Sequence, residues 1–329
     1  MALNLILGVD AGLNSVKVVG QKGETKFASV VTRKPAHAKT FKGVLSYEEK
    51  NKQNRFELTV DNKEYYLGEH AIFATKNSGV RRGGGSDGTG SKNNTKAFIR
   101  ALGGICLYID HYERFDDTEI NVFLTYGTPI NSATNDDEIE EIEERFKNQG
   151  RPIELTYNGV KLSISIKDII VLPEGAAAYY AKEDYEEEDV YILDAGSQTV
   201  NLTHLEDGAP VPNSSDNLTV GVEFYKETYP DNTAEVLSED AIEMLSEELR
   251  WPKGSKIHVC GGYANQLALA FNVVADGNYT AEVLVPEIPL SGRRVKTLDP
   301  IYANATGLFF LALEAFQDYI NVAKPKVKG

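Results

Sequence analysis

Two short segments of the 329-residue chain carry residue types suited to holding phosphate. Leu7-Gly8-Val9-Asp10-Ala11-Gly12 and Ile192-Leu193-Asp194-Ala195-Gly196 each end an apolar run in Asp, a small residue and Gly. Each then continues through polar residues into a β-branched run. Glycine at 12 and 196 lets backbone N–H groups approach phosphate oxygens closely. A carboxylate at each strand end suits Mg2+, held through water because that ion dehydrates reluctantly. Lys17 offers a point charge to a phosphate. The plainer reading is two ordinary hairpins whose Asp and Gly only make the turn. Their equivalent placement, about half a chain apart, favours two similar domains whose hairpins clamp a triphosphate. A third segment, Val259-Cys260-Gly261-Gly262-Tyr263-Ala264, runs a strand into a glycine pair and a helix. Glycine there admits a flat ring or a ribose, and the helix N-terminus favours an anion.

The elements that must position these residues follow from periodicity and turn chemistry. Leu3–Val9, Val16–Val19 and Thr25–Val31 form a β-meander. A hairpin covers Arg55–Val60 and Tyr65–Gly68 around Asp61-Asn62. The run Arg81–Ser91 is glycine-rich and reads as a mobile surface loop. Apolar spacing predicts helices over Lys92–His111, Asp136–Phe146, Gly175–Lys182, Ser238–Arg250, Ala264–Phe271 and about Ala303–Val322. Within the fourth of these, Ile242, Leu245 and Leu249 form the inward face. Strands are expected at Asn121–Thr125, Val160–Ile166, Ile169–Leu172, Val190–Leu193, Val200–Leu205 and Lys256–Cys260. The acidic run Glu183–Asp189 reads as a solvated linker, and the chain closes on a basic tail, Lys324–Lys328.

Composition excludes several functions. Lys plus Arg is 34 against 49 Asp plus Glu, a net charge of −15, which argues against direct, sequence-independent nucleic-acid binding. Contact with DNA through a basic partner stays open. Two cysteines, Cys106 and Cys260, make neither a disulfide scaffold nor a four-thiolate zinc site, and they suit a reducing cytoplasm. The apolar run Leu3–Val9 is short and lacks a basic stretch before it, so no signal peptide or membrane span is expected. The histidines 37, 70, 111, 204 and 258 have no metal-ligand spacing. Gly85–Lys92 has the glycines and lysine of a P-loop, but in the wrong order and without a strong preceding strand, so it is taken for a surface loop.

Five segments together resemble the signatures of the actin-like ATPase superfamily, in that family's order. They are Gly8–Gly20, Leu172–Tyr180, Leu193–Leu202, Val259–Leu267 and Asp299–Ala312. Leu172-Pro173-Glu174 and Tyr302-Ala303-Asn304-Ala305-Thr306-Gly307 are most similar to ParM-type bacterial actins, which segregate plasmids. The resemblance implies an α/β, actin-like (ribonuclease H-like) fold, with two similar domains around a nucleotide cleft. Domain I would be residues 1–174 and 303–329, with an inserted subdomain at about 33–102. Domain II would be 175–302, with an inserted subdomain at about 213–255.

The resemblance also implies roles. Asp10 and Asp194 would position Mg2+. Gly12, Leu13, Asn14, Ser15 and Lys17 would hold phosphates of ATP or GTP, faced by Gly196, Ser197, Gln198 and Thr199. Gly261, Gly262 and Tyr263 would lie against the nucleoside. Glu174 would orient the attacking water, with Gln198 as the other catalytic candidate. Leu13 departs from the Ser or Thr common in relatives, and Tyr263 from a small residue. Taken without the family, Glu174 reads first as a carboxylate favoured by a helix N-terminus. The implied activity is a cytoplasmic ATPase forming homopolymeric filaments that drive plasmid segregation through a DNA-binding adaptor. It would bind neither nucleic acid directly nor membrane. A small-molecule kinase or another non-segregating ATPase of the superfamily is the alternative, although no base Asp beyond the two hairpin carboxylates stands out. A chaperone-type or division-type ATPase fits less well, since the chain shows no substrate domain or membrane helix at its end.

Overall fold

The computed structural model describes residues 2–34, 56–78, 92–113, 119–181, 189–211, 213–290 and 294–320. The glycine-rich run 81–91, nearly all of the acidic run and the basic tail lie outside the described residues. The chain divides into two compact units, residues 1–171 with 312–329, and residues 172–311.

Unit 1 is built on nine strands: β1 (Leu3–Ala11), β2 (Ser15–Gly20), β3 (Gly23–Ala28), β4 (Val31–Arg33), β5 (Glu57–Val60), β6 (Lys63–Leu67), β7 (Ile120–Thr128), β8 (Ile153–Tyr157) and β9 (Val160–Pro173). Their order in the sheet is β3-β2-β1-β7-β9-β8-β5-β6-β4, so β4 to β6 extend the same sheet. Asp61 and Asn62 both have positive φ, 50° and 60°, the turn that matches strand twist between β5 and β6. Three longer helices accompany the sheet: α1 (Gly68–Ser78), α2 (Thr95–Tyr112) and α3 (Asp136–Lys147). Asn94 caps α2 by accepting from the Ala97 N–H at 2.9 Å. The helix lays Ile99, Leu102, Ile105 and Ile109 into one core with Leu5, Leu7, Val9, Val16 and Val18. The central strand β1 is apolar from Leu5 to Val9, where it is buried.

Where the sequence suggests two strands, Val160–Ile166 and Ile169–Leu172, there is one continuous β9. The intervening Lys167 and Asp168 reach charged partners without leaving the strand: Glu119 at 3.4 Å and Lys147 at 3.8 Å.

Unit 2 repeats the local pattern of unit 1. Strand β10 (Asp189–Ala195) pairs antiparallel with β11 (Val200–Glu206) and parallel with β14 (Lys256–Gly261), as β1 pairs with β2 and β7. β12 (Ala209–Pro210) and β13 (Asp216–Leu218) flank β11, and β15 (Thr280–Val283) follows β14. A separate hairpin joins β16 (Glu287–Leu290) to β17 (Arg294–Thr297). Helices α4 (Val222–Thr228), α5 (Thr233–Glu243) and α6 (Ala264–Val274) belong to this unit, as does α7 (Ala303–Ile320) up to residue 311. Leu193, Leu202 and Val259 meet Leu237, Leu245, Trp251, Leu267 and Phe271 in the core.

Two helices differ from expectation. α5 starts at Thr233, five residues early, and passes into a π-helical turn, Met244–Glu248. Leu237, Ala241, Met244, Leu245 and Leu249 are buried, while Ile242, expected inside, is half-buried against the edge of the core. The segment expected as a helix over Gly175–Lys182 contains a single turn, Ala176–Tyr179. Gly175 enters it at φ 81°, and α7 crosses it so closely that a side chain at Gly307 would strike the Ala177 carbonyl.

Candidate nucleotide-binding site

The β1–β2 turn brings Asp10, Gly12, Leu13, Asn14, Ser15 and Lys17 together. Antiparallel register sets Asp10 opposite Lys17, and parallel register sets it beside Gly127 of β7. The turn is anchored from the end of β3. Ser29 N–H donates to the Asn14 carbonyl at 2.9 Å, and the Ser29 hydroxyl donates to the Gly12 carbonyl. Beside Gly12, a Cβ would stand 3.2 Å from the Lys17 ammonium, so the missing side chain leaves space next to that cation.

Asp10 is 2 % exposed and carries an ammonium on each carboxylate oxygen. Lys17 Nζ lies 2.8 Å from Oδ2, and Lys92 Nζ lies 3.2 Å from Oδ1. Burial alone would push the Asp10 carboxyl up, but Lys17 and Lys92 together outweigh it and hold the group at about 2. Burial pulls Lys92 down to about 8 against the attraction of Asp10. Arg100, from α2, and Tyr126, from β7, are buried in the same neighbourhood, and both feel the Asp10 charge. The Lys92 ammonium stands 6.0 Å from the centre of the Tyr126 ring. Lys92 is therefore no part of an exposed surface loop. Sequence reasoning set it aside with the glycine-rich run, although its place two residues before the cap of α2, the helix that packs on β1, was the available signal.

The second turn is supported differently. Asp194, 8 % exposed, accepts from the Asn304 side-chain N–H at 2.9 Å through Oδ2. The carbonyl oxygen of the same Asn304 amide accepts from Gly175 N–H at 2.9 Å. Asn304 thus ties the Asp194 strand end to the turn that carries Glu174. It lies in a segment similar to the family's, yet nothing in the sequence alone marked it as a site residue. Gly196 N–H donates to the Asp194 carbonyl at 2.9 Å. The carbonyls of Gly196 and Ser197 accept from Val222 and Glu223 N–H at 3.0 and 2.9 Å, which packs the loop on the start of α4. Gln198 is exposed, and Thr199 is half-buried.

Parallel register places Ala195 beside Gly261. Gly261 has φ 93°, and a Cβ there would come within 2.6 Å of the Ala195 carbonyl and 2.7 Å of Asp194 Oδ1. Only glycine fits. Gly262 is exposed, and the Tyr263 ring lies 4.6 Å under the Lys226 ammonium of α4. Glu174 is half-buried, in a turn ahead of a one-turn helix.

The residues present fit a phosphate group at the first turn and a hydrated cation at the second. The first offers cations and a glycine gap. The second offers a buried carboxylate whose contact with Asn304 is neutral. Among the described residues no three His, Cys, Asp or Glu side chains cluster as a metal cage. Mg2+ would need water and phosphate oxygens for most of its ligands, its usual arrangement with nucleotides.

Residues 8–176 match the family described as actin-like proteins, N-terminal domain. The chain belongs to the actin-like protein family. Solved structures of actin-like proteins share the fold across nearly its whole length. The pSK41 ParM protein, without nucleotide, aligns at TM-score 0.70 and 15% identity, over 98% of this chain and 100% of that one. AlfA in a filament bound to AMPPNP aligns at TM-score 0.66 and 18% identity, over 97% and 99%. The archaeal actin homologue Ta0583 with ADP aligns at TM-score 0.61 and 19% identity, over 95% and 100%. No curated protein matches the chain. The fold expected from the five signature segments is the fold observed: an actin-like α/β chain. Among the described residues no helix is long and apolar enough to cross a membrane.

Proposed function

We propose that this actin-like protein binds a nucleoside triphosphate with Mg2+, polymerises in that state, and hydrolyses the nucleotide to release the filament. The observation that carries the reading is the pair of buried lysines converging on Asp10 beside the gap at Gly12. Lysines beside a glycine turn suit a phosphate. The relatives solved as an AlfA filament with AMPPNP and as Ta0583 with ADP support a nucleotide as that anion. The AlfA and Alp12 filament structures support self-assembly. The finer job is plasmid DNA segregation through a basic DNA-binding adaptor, which suits a chain of net charge −15.

In this mechanism the protein does little covalent chemistry and much positioning. Lys17 and the backbone N–H groups from Gly12 to Ser15 hold phosphate oxygens. Asp194 orients the water shell of the metal, and Asn304 keeps Asp194 and the Glu174 turn in register. Gly196 to Thr199 present backbone and hydroxyl donors, and Gly261, Gly262 and Tyr263 take the nucleoside. Glu174 accepts a hydrogen bond from water and orients it, with Gln198 as the other water-facing candidate. The bound Mg2+ supplies charge stabilisation to the transferring phosphoryl group.

Phosphate release and light scattering, followed on one sample with Mg-ATP and then with Mg-GTP, test the reading. A rise in scattering with phosphate release is expected. Scattering that stays flat with both nucleotides at high protein concentration defeats the filament reading. Glu174→Ala should slow release by roughly 10²-fold while the scattering rise remains and persists. Normal release in that variant would pass the role to Gln198.

A further inference from the structure

Single exposed apolar side chains are ordinary on a protein surface, but a pair on adjacent turns of an uncharged helix is not. Among the described large apolar side chains, Val273 and Leu269 are the most exposed, at 79 % and 74 %. Both lie on α6, at a spacing that puts them on one face. No charged residue occurs from Ala264 to Ala275, in a chain of which 25% is charged. The helix is firmly placed. Its other face, with Ala264, Leu267, Ala268 and Phe271, is buried in the core. Beside Val273, the Asn272 side chain donates to the Ala281 carbonyl at 2.8 Å and accepts from the Ala281 N–H at 2.7 Å, which clamps α6 on β15. Charge borders the strip from the neighbouring helix, since α5 packs beside α6 and exposes Glu235, Glu239 and Glu243.

Val295, elsewhere in unit 2, is 57 % exposed and lies on β17, where the sequence reads Arg294-Val295-Lys296. The two places belong to opposite ends of the unit 2 sheet. Strands β10, β14 and β15 run parallel. α6 follows the C-terminal end of β14 and leads back to the N-terminal end of β15, so Val273 stands at that end. The β16–β17 hairpin follows the C-terminal end of β15, and the Leu298 N–H closes its base on the Pro286 carbonyl at 2.8 Å. An apolar strip bordered by acid and an apolar residue between basic ones are complementary. Complementary patches at opposite ends of one chain make a head-to-tail contact that repeats from copy to copy. A chain of net charge −15 repels its own copy, and this pairing opposes the repulsion.

We propose that the α6 strip around Leu269 and Val273 receives the β16–β17 hairpin of a second copy of this chain, as a subunit contact of the polymer. This rests on the filament reading above and deepens it by naming the two surfaces. The strip is about 16 Å long and about 10 Å wide. That is small beside the about 800 Å2 per partner that a stable pair buries. One such contact does not hold a dimer, and it gains strength only where a polymer repeats it.

The test uses the full chain with Mg-ATP and with Mg-GTP. Val273→Asp and Val295→Asp each place a carboxylate in one of the surfaces, at a position outside the core. Each should raise the concentration needed for assembly by about tenfold or more and leave nucleotide affinity within about twofold. Assembly of either variant at the wild-type concentration overturns the proposal. Cysteine cross-linking reads the contact itself, because Cys106 and Cys260 are both buried. Val273→Cys and Val295→Cys in one chain, oxidised during assembly, should give a ladder of covalent multimers. Either substitution alone should give none, and an equal mixture of the two single variants should stop at dimers. A Val273→Cys chain that links to itself means a symmetric contact and overturns the proposal. An assembled double variant that forms no link overturns it too and leaves the filament reading intact. A wild-type chain that assembles with neither nucleotide overturns both.

Discussion

The two Asp-Ala-Gly turns share sequence, strand pairing and register, yet they differ in what holds the aspartate. Asp10 lies between two ammonium groups, whereas Asp194 is held by the neutral amide of Asn304. One carboxylate is therefore tied to ammonium groups and the other to an amide, and the difference comes from residues outside the motif. It also refines the expectation that both aspartates position Mg2+. We propose that Asp194 faces the metal, and that Asp10 chiefly orders Lys17 and Lys92.

The comparison breaks most visibly at the aspartates. Asp10→Ala removes the carboxylate from two buried ammonium groups and should cost about 3–5 kcal/mol of stability, the usual penalty for removing one partner of a buried pair. Asp194→Ala removes the acceptor of the Asn304 amide and should cost about 1–3 kcal/mol. Urea denaturation followed by circular dichroism measures both. Equal losses would mean that the two turns are electrically alike.

Asn304→Ala comes next. It cuts the links to Asp194 and to Gly175 N–H and should cost about 2–3 kcal/mol. It should also lower the rate of phosphate release, because the Glu174 turn loses its anchor. A stable variant with wild-type turnover would dissociate Glu174 from the Asp194 turn.

Acid should separate the turns further. The Asp10 carboxyl, held at about 2 against 3.8 for an ordinary aspartate, contributes its full stabilisation above about pH 4. That contribution, about 2 kcal/mol, is lost as pH falls from about 4 towards about 2. Asp10→Asn should flatten this part of the stability–pH curve, and an unchanged acid limb would show that the lysines do not hold the carboxyl down.

The smallest contrast is at the glycines. Gly12 has an ordinary φ, and a Cβ there meets the Ser15 carbonyl at 3.0 Å, so Gly12→Ala should cost about 1 kcal/mol or less in melting experiments. Gly196→Ala drives a Cβ into the Thr199 carbonyl and should cost about 1–3 kcal/mol. A reversed order would show that the first turn is the tighter one.

The sequence by itself determined the strands and turns of both hairpins, because apolar runs, glycines and aspartates act locally and each segment states its own preference. The parallel neighbours β7 and β14, the capped helix α2 and the glycine pair at 261 and 262 were legible for the same reason. Tertiary structure decided which side chains complete each turn. Lys92 is 82 residues from Asp10, and Asn304 is 110 residues from Asp194. Neither is marked by a local pattern, so only the folded sheet and the helices packed on it bring them in. The single turn at Ala176–Tyr179 has the same cause: local helix propensity over so short a stretch is weak, and the close crossing at Gly307 overrides it. Charge balance at a buried site is a sum over residues that meet only after folding, which is why identical Asp-Ala-Gly motifs acquire different partners.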